Sequence, residues 1–262
     1  MIDIQNLTKR FGNLTAVSNV TFHVNEGEIF AFLGPNGAGK TTTIKMLTTL
    51  LRPSAGSVKI AGHDAIHQQD QARRSFGIVF QDPSLDDELT AYENMELHGV
   101  LYHVDKRILK SRILELLKFV ELEDRKDNIV KTFSGGMKRR LEIARGLLHH
   151  PKILFLDEPT VGLDPQTRNH MWEYIQELNK KEKLTIFLTT HYMEEAEKVA
   201  QKIAIIDHGK IVAQGTPEEL KKQTKTKSLE DAFLKLTGHD MRAEAATGVD
   251  NMRMNRRMWN RR

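Results

Sequence analysis

Two stretches hold most of the residues able to do chemistry. The first, Gly34-Pro35-Asn36-Gly37-Ala38-Gly39-Lys40-Thr41, satisfies the pattern G-x-x-x-x-G-K-[ST]. Its glycines let the backbone curl until successive N–H groups point inward at an anion, and a helix opening at the lysine adds the positive end of its dipole. The pattern predicts a phosphate-binding loop: Lys40 on the β- and γ-phosphates, the Thr41 hydroxyl on Mg²⁺, Thr42 near the α-phosphate. The second stretch is "ILFLDEPT", four apolar residues followed by Asp157 and Glu158. A strand this apolar delivers both carboxylates to its carboxyl end, the edge at which open α/β sheets bind ligands. Asp157 is the expected Mg²⁺ ligand, acting largely through coordinated water. Glu158 is the expected general base, or the group that orients water, for an in-line displacement at phosphorus. The plainer readings are a glycine-rich turn and an acidic pair serving the following helix.

Ser134-Gly135-Gly136 precedes a helical run over 137–149. This makes a second helix N-terminus with free N–H groups, and its serine suits N-capping or phosphate binding. One chain therefore offers two phosphate-binding ends and a single loop lysine.

The elements that must position these groups follow from the apolar runs. "EIFAFLG" (28–34), "FGIVFQD" (76–82), "KILFLDEP" (152–159), "LTIFLTTH" (184–191) and "KIAIID" (202–207) fit strands covered on both faces. The fold class expected is α/β, a phosphate-loop core with a mainly parallel sheet flanked by helices. "MIDIQNLTKRF" and "LTAVSNVTFHV" alternate more, with "GN" between them, and predict an antiparallel β-subdomain beside it. Leu109, Ile113, Leu116, Leu117 and Val120 fall on one helical face, within a helical insertion of about residues 82–133. The polar stretch "KKQTKTKS" (221–228) divides a body of residues 1–220 from a C-terminal extension, 221–262, with a short helix and an Arg-rich tail.

Composition narrows the function classes. Cysteine is absent, so disulfides and thiolate metal sites are excluded. No run approaches the roughly 18–20 apolar residues that cross a bilayer, and the opening residues lack the pattern of a secretion signal, so a cytosolic chain is expected. The net charge of +4 is dominated by five arginines in "NMRMNRRMWNRR" (251–262), which leaves the body near neutral and without a nucleic-acid signal. That tail, with Met252, Met254, Met258 and Trp259, is a candidate contact for an anionic membrane surface, the alternative being a solubilising end. His149-His150, and His63 with His67, lack further ligands at metal-site spacing. "NKKE" (179–182) departs from the guanine-reading N-K-x-D at its acid and precedes the wrong strand.

Residues 132–165, "TFSGGMKRRLEIARGLLHHPKILFLDEPTVGLDP", resemble the signature motif, Walker B strand and D-loop of ATP-binding cassette (ABC) proteins, in the right order and at the usual separation. Gln81 in "VFQD" is similar to the Q-loop residue and His191 in "LTTH" to the switch histidine. The likeness covers about residues 1–220. It implies that ATP is the nucleotide and Mg²⁺ the metal. It further implies that Gln81 supplies an amide to Mg²⁺ or water, that His191 contacts the γ-phosphate, and that Asp164 belongs to the D-loop, a plain N-cap before Pro165 being the other reading. Phe11 resembles the aromatic that stacks on adenine, although phenylalanine is as readily a core residue. In this family two cassettes pair head to tail, so Ser134, Gly135 and Gly136 of one subunit would close over the nucleotide of the other. Phe133 and Met137 depart from the commoner L-S-G-G-Q, and Met137 removes a side-chain amide from that interface.

"DELTAYENMELHG", the F-S-G-G-M signature and "SLEDAFLKLTG" most resemble ATPase subunits of drug-export and related ABC-2-type transporters. The resemblance implies a separate integral-membrane permease, peripheral attachment at the cytoplasmic face of the cell membrane, and a docking surface between Gln81 and about Leu101 with Tyr92, Met95 and Leu97 as apolar contacts. The alternative is a soluble ABC ATPase acting on nucleic acid or ribosomes. Such chains usually have two cassettes or a long coiled coil before the signature, whereas 93 residues separate Lys40 from Ser134 here. A regulatory nucleotide-binding module would lack Glu158.

Overall fold

The structure is a computed structural model and describes residues 1–238. In chain order the elements are β1 (Ile2–Phe11), β2 (Leu14–Val24), β3 (Ile29–Leu33), α1 (Lys40–Leu47), β4 (Ala55–Ile60), β5 (His63–Asp64), α2 (Gln69–Arg74), β6 (Phe76–Val79), α3 (Ala91–Leu101), α4 (Lys106–Phe119) and α5 (Gly135–Leu147). There follow β7 (Ile153–Asp157), α6 (Pro165–Glu182), β8 (Thr185–Thr190), α7 (Met193–Val199), β9 (Lys202–Asp207), β10 (Lys210–Gly215), α8 (Pro217–Thr224) and α9 (Leu229–Thr237).

Six strands form the central sheet in the order β10-β9-β3-β8-β7-β6, and four form an antiparallel sheet in the order β2-β1-β4-β5. All neighbours in the central sheet are parallel except β9 and β10. The doubly apolar runs have the role expected of them. Along β3, Phe30 and Phe32 face the antiparallel sheet while Ile29, Ala31 and Leu33 face the helices. Phe155 of β7 and Phe187 of β8 extend the first layer, Phe30 and Phe187 stacking at 5.6 Å between centroids, and Phe22 of β2 closes over Phe30 at 5.1 Å. Such offset aromatic pairs add about 0.5–1.5 kcal/mol beyond the area they bury.

The helical insertion contains α3 and α4. Thr90 caps α3 through a reciprocal box with Glu93, and α4 turns Leu109, Ile113, Leu116 and Leu117 into the core. Residues 221–228 do not separate two bodies: they include the second turn of α8, and the boundary expected at 220 falls inside that helix, at the buried Leu220. α9 is drawn in because Leu229 and Phe233 join the main core and the Leu229 N–H donates to Glu197 of α7 at 3.1 Å. The tail at 251–262, with its expected membrane contact, lies outside the described residues.

Candidate functional site

Register sets the site. Leu33 at the end of β3 pairs with Thr190, and Asp157 at the end of β7 pairs with Thr189, so three strands release their chains at one edge of the sheet. The loop after β3 fits only with glycine at two points. A Cβ on Gly34 would come within 2.4 Å of the Ile206 carbonyl oxygen, and Gly39 has φ +112° with the Ala16 carbonyl 2.7 Å from any Cβ. α1 then opens at Lys40 with no side-chain cap and no acidic residue in its first turn, which leaves its N-terminal N–H groups and dipole for an anion. Asn36, Gly37 and Thr41 are exposed, Gly39 and Thr42 half-buried, Gly34 and Ala38 buried.

Lys40 is buried, and its Nζ donates to the carbonyls of Gly34 (2.7 Å) and Pro35 (3.3 Å) and lies 3.8 Å from Glu158 Oε1. Burial pulls its pKa down, with Glu158 and Asp157 opposing. Burial pushes the Asp157 carboxyl up against the bond from the Thr189 hydroxyl (2.6 Å), and the neighbouring Glu158 charge adds to the rise. Glu158 turns out of the strand at φ +51°, its N–H held by the Thr189 carbonyl and hydroxyl oxygens, both at 3.1 Å. Its Oε2 meets Nδ1 of His191 at 2.7 Å. Lys40, Asp157, Glu158 and His191 thus form one cluster.

Gln81 lies two residues past the end of β6, not within the strand, because pairing with β7 stops at Val79 and Leu156. Its side chain is exposed, while its carbonyl accepts from Arg139 Nη2 at 3.0 Å. Ser134 caps α5, accepting from the Met137 N–H at 3.3 Å, and Asp164 caps α6, accepting from the Thr167 N–H at 3.0 Å. These two caps adjoin each other, since a Cβ on Gly136 would lie 2.6 Å from Thr167 Cγ2. Among the described residues no hydrogen bond joins Ser134 or Asp164 to the Lys40 cluster. Phe11 is 47% exposed at the tip of the β1–β2 hairpin, with Lys9 Nζ 5.1 Å from its ring centroid, so it is no core residue. Phe133 is buried and Met137 half-buried against the main core, so both departures in the signature are absorbed into packing. Met95 is fully buried in the insertion and cannot serve as an exposed docking contact; Tyr92 is half-buried and Leu97 is exposed. In "NKKE", Asn179 donates to the carbonyls of Gly27 and Leu184, both at 2.8 Å, a structural role at the end of α6.

Sequence reasoning missed the supporting shell. Thr189 holds both acidic residues, and Arg139 with Glu142, a buried pair at 3.1 Å on α5, grips the segment after β6. Arg139 bonds the Phe80 and Gln81 carbonyls, and Glu142 accepts from the Ser84 N–H at 2.8 Å. The available signals were two threonines ending an otherwise apolar strand and an Arg and a Glu three apart on the inward face of a helix.

A glycine-bound anion loop, a buried lysine, and two carboxylates with a histidine on one sheet edge define a phosphate-loop ATPase. Known proteins narrow the class. A family model described as ABC transporter matches residues 17–161. The chain is 41% identical over 223 residues to the daunorubicin resistance ATP-binding protein DrrA3 of Streptomyces coeruleorubidus, covering 85% of this chain and 70% of the relative. It is 43% identical to the Nod factor export ATP-binding protein I of Burkholderia lata (84% and 72% covered) and 41% identical to the linearmycin resistance ATP-binding protein LnrL of Bacillus subtilis (84% and 70%). Among solved structures, an ATP-binding subunit of an ABC transporter superposes with TM-score 0.81 at 30% identity, over 90% of this chain and 99% of that one. A dimeric ATP-binding cassette bound to ADP and Pi in a post-hydrolysis state gives 0.74 at 30% identity, over 82% and 98%. This chain belongs to the ABC transporter family.

Proposed function

We propose that the chain is the ATP-hydrolysing subunit of an ABC-2-type exporter, peripheral at the cytoplasmic face of the membrane and working through a separate permease. The observation that supports this best is the Lys40–Glu158–His191 cluster on the carboxyl edge of the central sheet, taken with relatives named for export and drug resistance.

The chemistry follows from the cluster. The loop N–H groups and Lys40 neutralise the β- and γ-phosphates, and Phe11 offers its exposed ring to adenine. Thr41, Asp157 and the Gln81 amide are hard oxygen donors, and a cation would offset the desolvation of the buried Asp157 carboxyl, so these residues fit Mg²⁺. Bound Mg²⁺ supplies charge neutralisation at the β- and γ-oxygens. Glu158 accepts a proton from, or aligns, the attacking water, and His191 holds the carboxylate while facing the γ-phosphate.

Ser134, Gly135 and Gly136 complete the site from a second cassette in a head-to-tail dimer, with Asp164 at the junction. α5 also opens without acidic residues in its first turn, as a second phosphate-binding end requires. The groove between α3 and α4, about 510 Å³ and bordered by Tyr92, Leu97, Val100 and Lys106, is the place for the permease's cytoplasmic segment. Purification from native, detergent-solubilised membranes tests the assignment: a stoichiometric polytopic membrane protein is expected, and recovery only with ribosomes or nucleic acid would overturn it.

A further inference from the structure

Glu195 on α7 is a carboxylate only 6% exposed, outside the phosphate loop and the Asp157-Glu158 pair. A buried carboxylate is costly unless its lone pairs are used; those of Glu195 Oε2 bond both segments that bear the catalytic pair, while Oε1 has an ion-pair neighbour but, among the described residues, no hydrogen-bond partner. Its Oε2 accepts from the Thr160 hydroxyl at 2.8 Å and from the Thr190 hydroxyl at 3.3 Å. Thr160 stands two residues after Glu158, and Thr190 immediately precedes His191. The other oxygen, Oε1, lies 3.3 Å from Nε of Arg168 on α6. That guanidinium covers the Tyr192 ring at 4.2 Å, and Tyr192 packs against His191 at 4.1 Å between ring centroids. The Thr190 hydroxyl in turn accepts the Tyr192 N–H at 3.0 Å, which fixes the turn on which His191 stands.

We infer that Glu195 is a positioning residue for ATP hydrolysis, clamping the Thr160 and Thr190 segments together so that His191 Nδ1 is held on the Glu158 carboxylate. The inference rests on the assignment of Glu158 and His191 as the catalytic pair. His191 needs such help because its side chain is 35% exposed and its ring is held by the bond to Glu158. Without the clamp, the Glu158 N–H bonds to Thr189 still tie the backbones, but the His191 ring is left to its bond with Glu158, and a misplacement of about 1 Å can cost on the order of 100-fold in rate. Arg168 also reaches the Leu163 carbonyl at 3.4 Å, so the clamp extends to the turn that carries Asp164.

The test uses the full chain with Glu195→Gln, which keeps shape and one acceptor oxygen but loses the charge facing Arg168, and Thr160→Val, which removes one donor isosterically. Two readouts are taken: steady-state ATPase, and the ¹⁵N shifts of the His191 imidazole, which report its tautomer without turnover. Expected for Glu195→Gln is a kcat at least tenfold lower with KM for ATP within twofold, and a loss of the Nδ1–H tautomer in favour of a mixture. Thr160→Val should move both in the same direction by a smaller factor. Unchanged kcat and tautomer in either folded variant, or a loss of thermal stability with kcat per folded molecule intact, would reduce Glu195 to a structural tie. Glu158→Gln is the control for the underlying assignment: full-rate turnover there overturns the catalytic pair itself, whereas an inactive Glu158→Gln beside a fully active Glu195→Gln overturns only the clamp.

Discussion

Glu158 Oε2 and His191 Nδ1 lie 2.7 Å apart although they are 33 positions apart in sequence. The β7–β8 register brings them together: Asp157 pairs with Thr189, and each chain then leaves the sheet at the same level. With Glu158 ionised, the bond requires a proton on Nδ1. The other carboxylate oxygen points at Lys40 Nζ, 3.8 Å away, so one side chain stands between Lys40 and His191.

If Glu158 directs the attacking water, Glu158→Gln removes the carboxylate that does so, while the amide oxygen can still hold His191. Turnover is expected to fall by about 100-fold or more, the size of a general-base contribution. Nucleotide binding should persist, and size-exclusion chromatography in ATP and Mg²⁺ should show a dimer that the wild-type chain passes through only briefly. A variant that releases phosphate at the wild-type rate would remove Glu158 from the reaction.

Lys40→Ala separates binding from folding. The ammonium contributes to the folded chain mainly through two loop carbonyls, whereas a charge-assisted bond to phosphate contributes about 1.5–3 kcal/mol, or roughly 10- to 150-fold in affinity. Calorimetric titration with ATP should show a loss in that range, with the unfolding midpoint moved little because burial already strains the charged form. An ATP affinity unchanged within twofold would contradict the assigned role.

Phe11 is exposed, so truncating it removes little packing. If its ring stacks on adenine, Phe11→Ala should weaken ATP by about 5-fold or more, since base–aromatic stacking contributes about 1–3 kcal/mol, and should leave inorganic triphosphate binding unaltered. Equal losses for ATP and triphosphate would mean that the hairpin tip acts on the loop and not on the base.

How much of this was legible in sequence depended on burial. β3, β7, β8 and β9 are covered on both faces, and their continuous apolar runs announce them; β4 and β10 are half exposed, so "AGSVKI" and "KIVAQG" carry only a weak period-two signal. "LEDAFLKLTG" reads as a helix, yet its docking is hidden by the lysines of "KKQTKTKS": Lys221 of that stretch pairs with Glu197 of α7 at 2.6 Å, and Lys235 of α9 donates back to its Thr224 carbonyl at 2.8 Å. Local motifs named Lys40, Asp157 and Glu158 because their chemistry needs those types at those spacings, and the family resemblance named His191. Their mutual bonds, and the parts of Thr189, Arg139 and Glu195, arise from strand register and helix packing, which no local spacing encodes.

A final prediction concerns pH and lies away from the nucleotide. His98 of α3, Tyr102 and His149 form a half-buried trio, with ring centroids 4.4 Å apart for His98 and Tyr102 and 4.1 Å for Tyr102 and His149. His149 bonds the Phe76 carbonyl through Nε2 at 3.0 Å, so Nδ1 is the bare nitrogen, and among the described residues neither it nor His98 Nε2 has a hydrogen-bond partner. Burial, with the Arg145 charge adding to it at His98 and that of His150 at His149, lowers the two pKa values to about 3 and about 4. Below about pH 6.5 the unfolded chain takes up protons at these residues that the folded chain refuses, so stability present at neutral pH is lost as pH falls from 6.5 toward 4. At pH 5.5 each residue should cost about 1 kcal/mol relative to pH 7.5. His98→Phe keeps the stack on Tyr102 and removes one titrating group; its urea-unfolding free energy should therefore fall less than the wild type's between pH 7.5 and 5.5, by about 1 kcal/mol. Parallel declines in the two proteins would show that the His98 imidazole is protonated as readily in the folded chain as in the unfolded one.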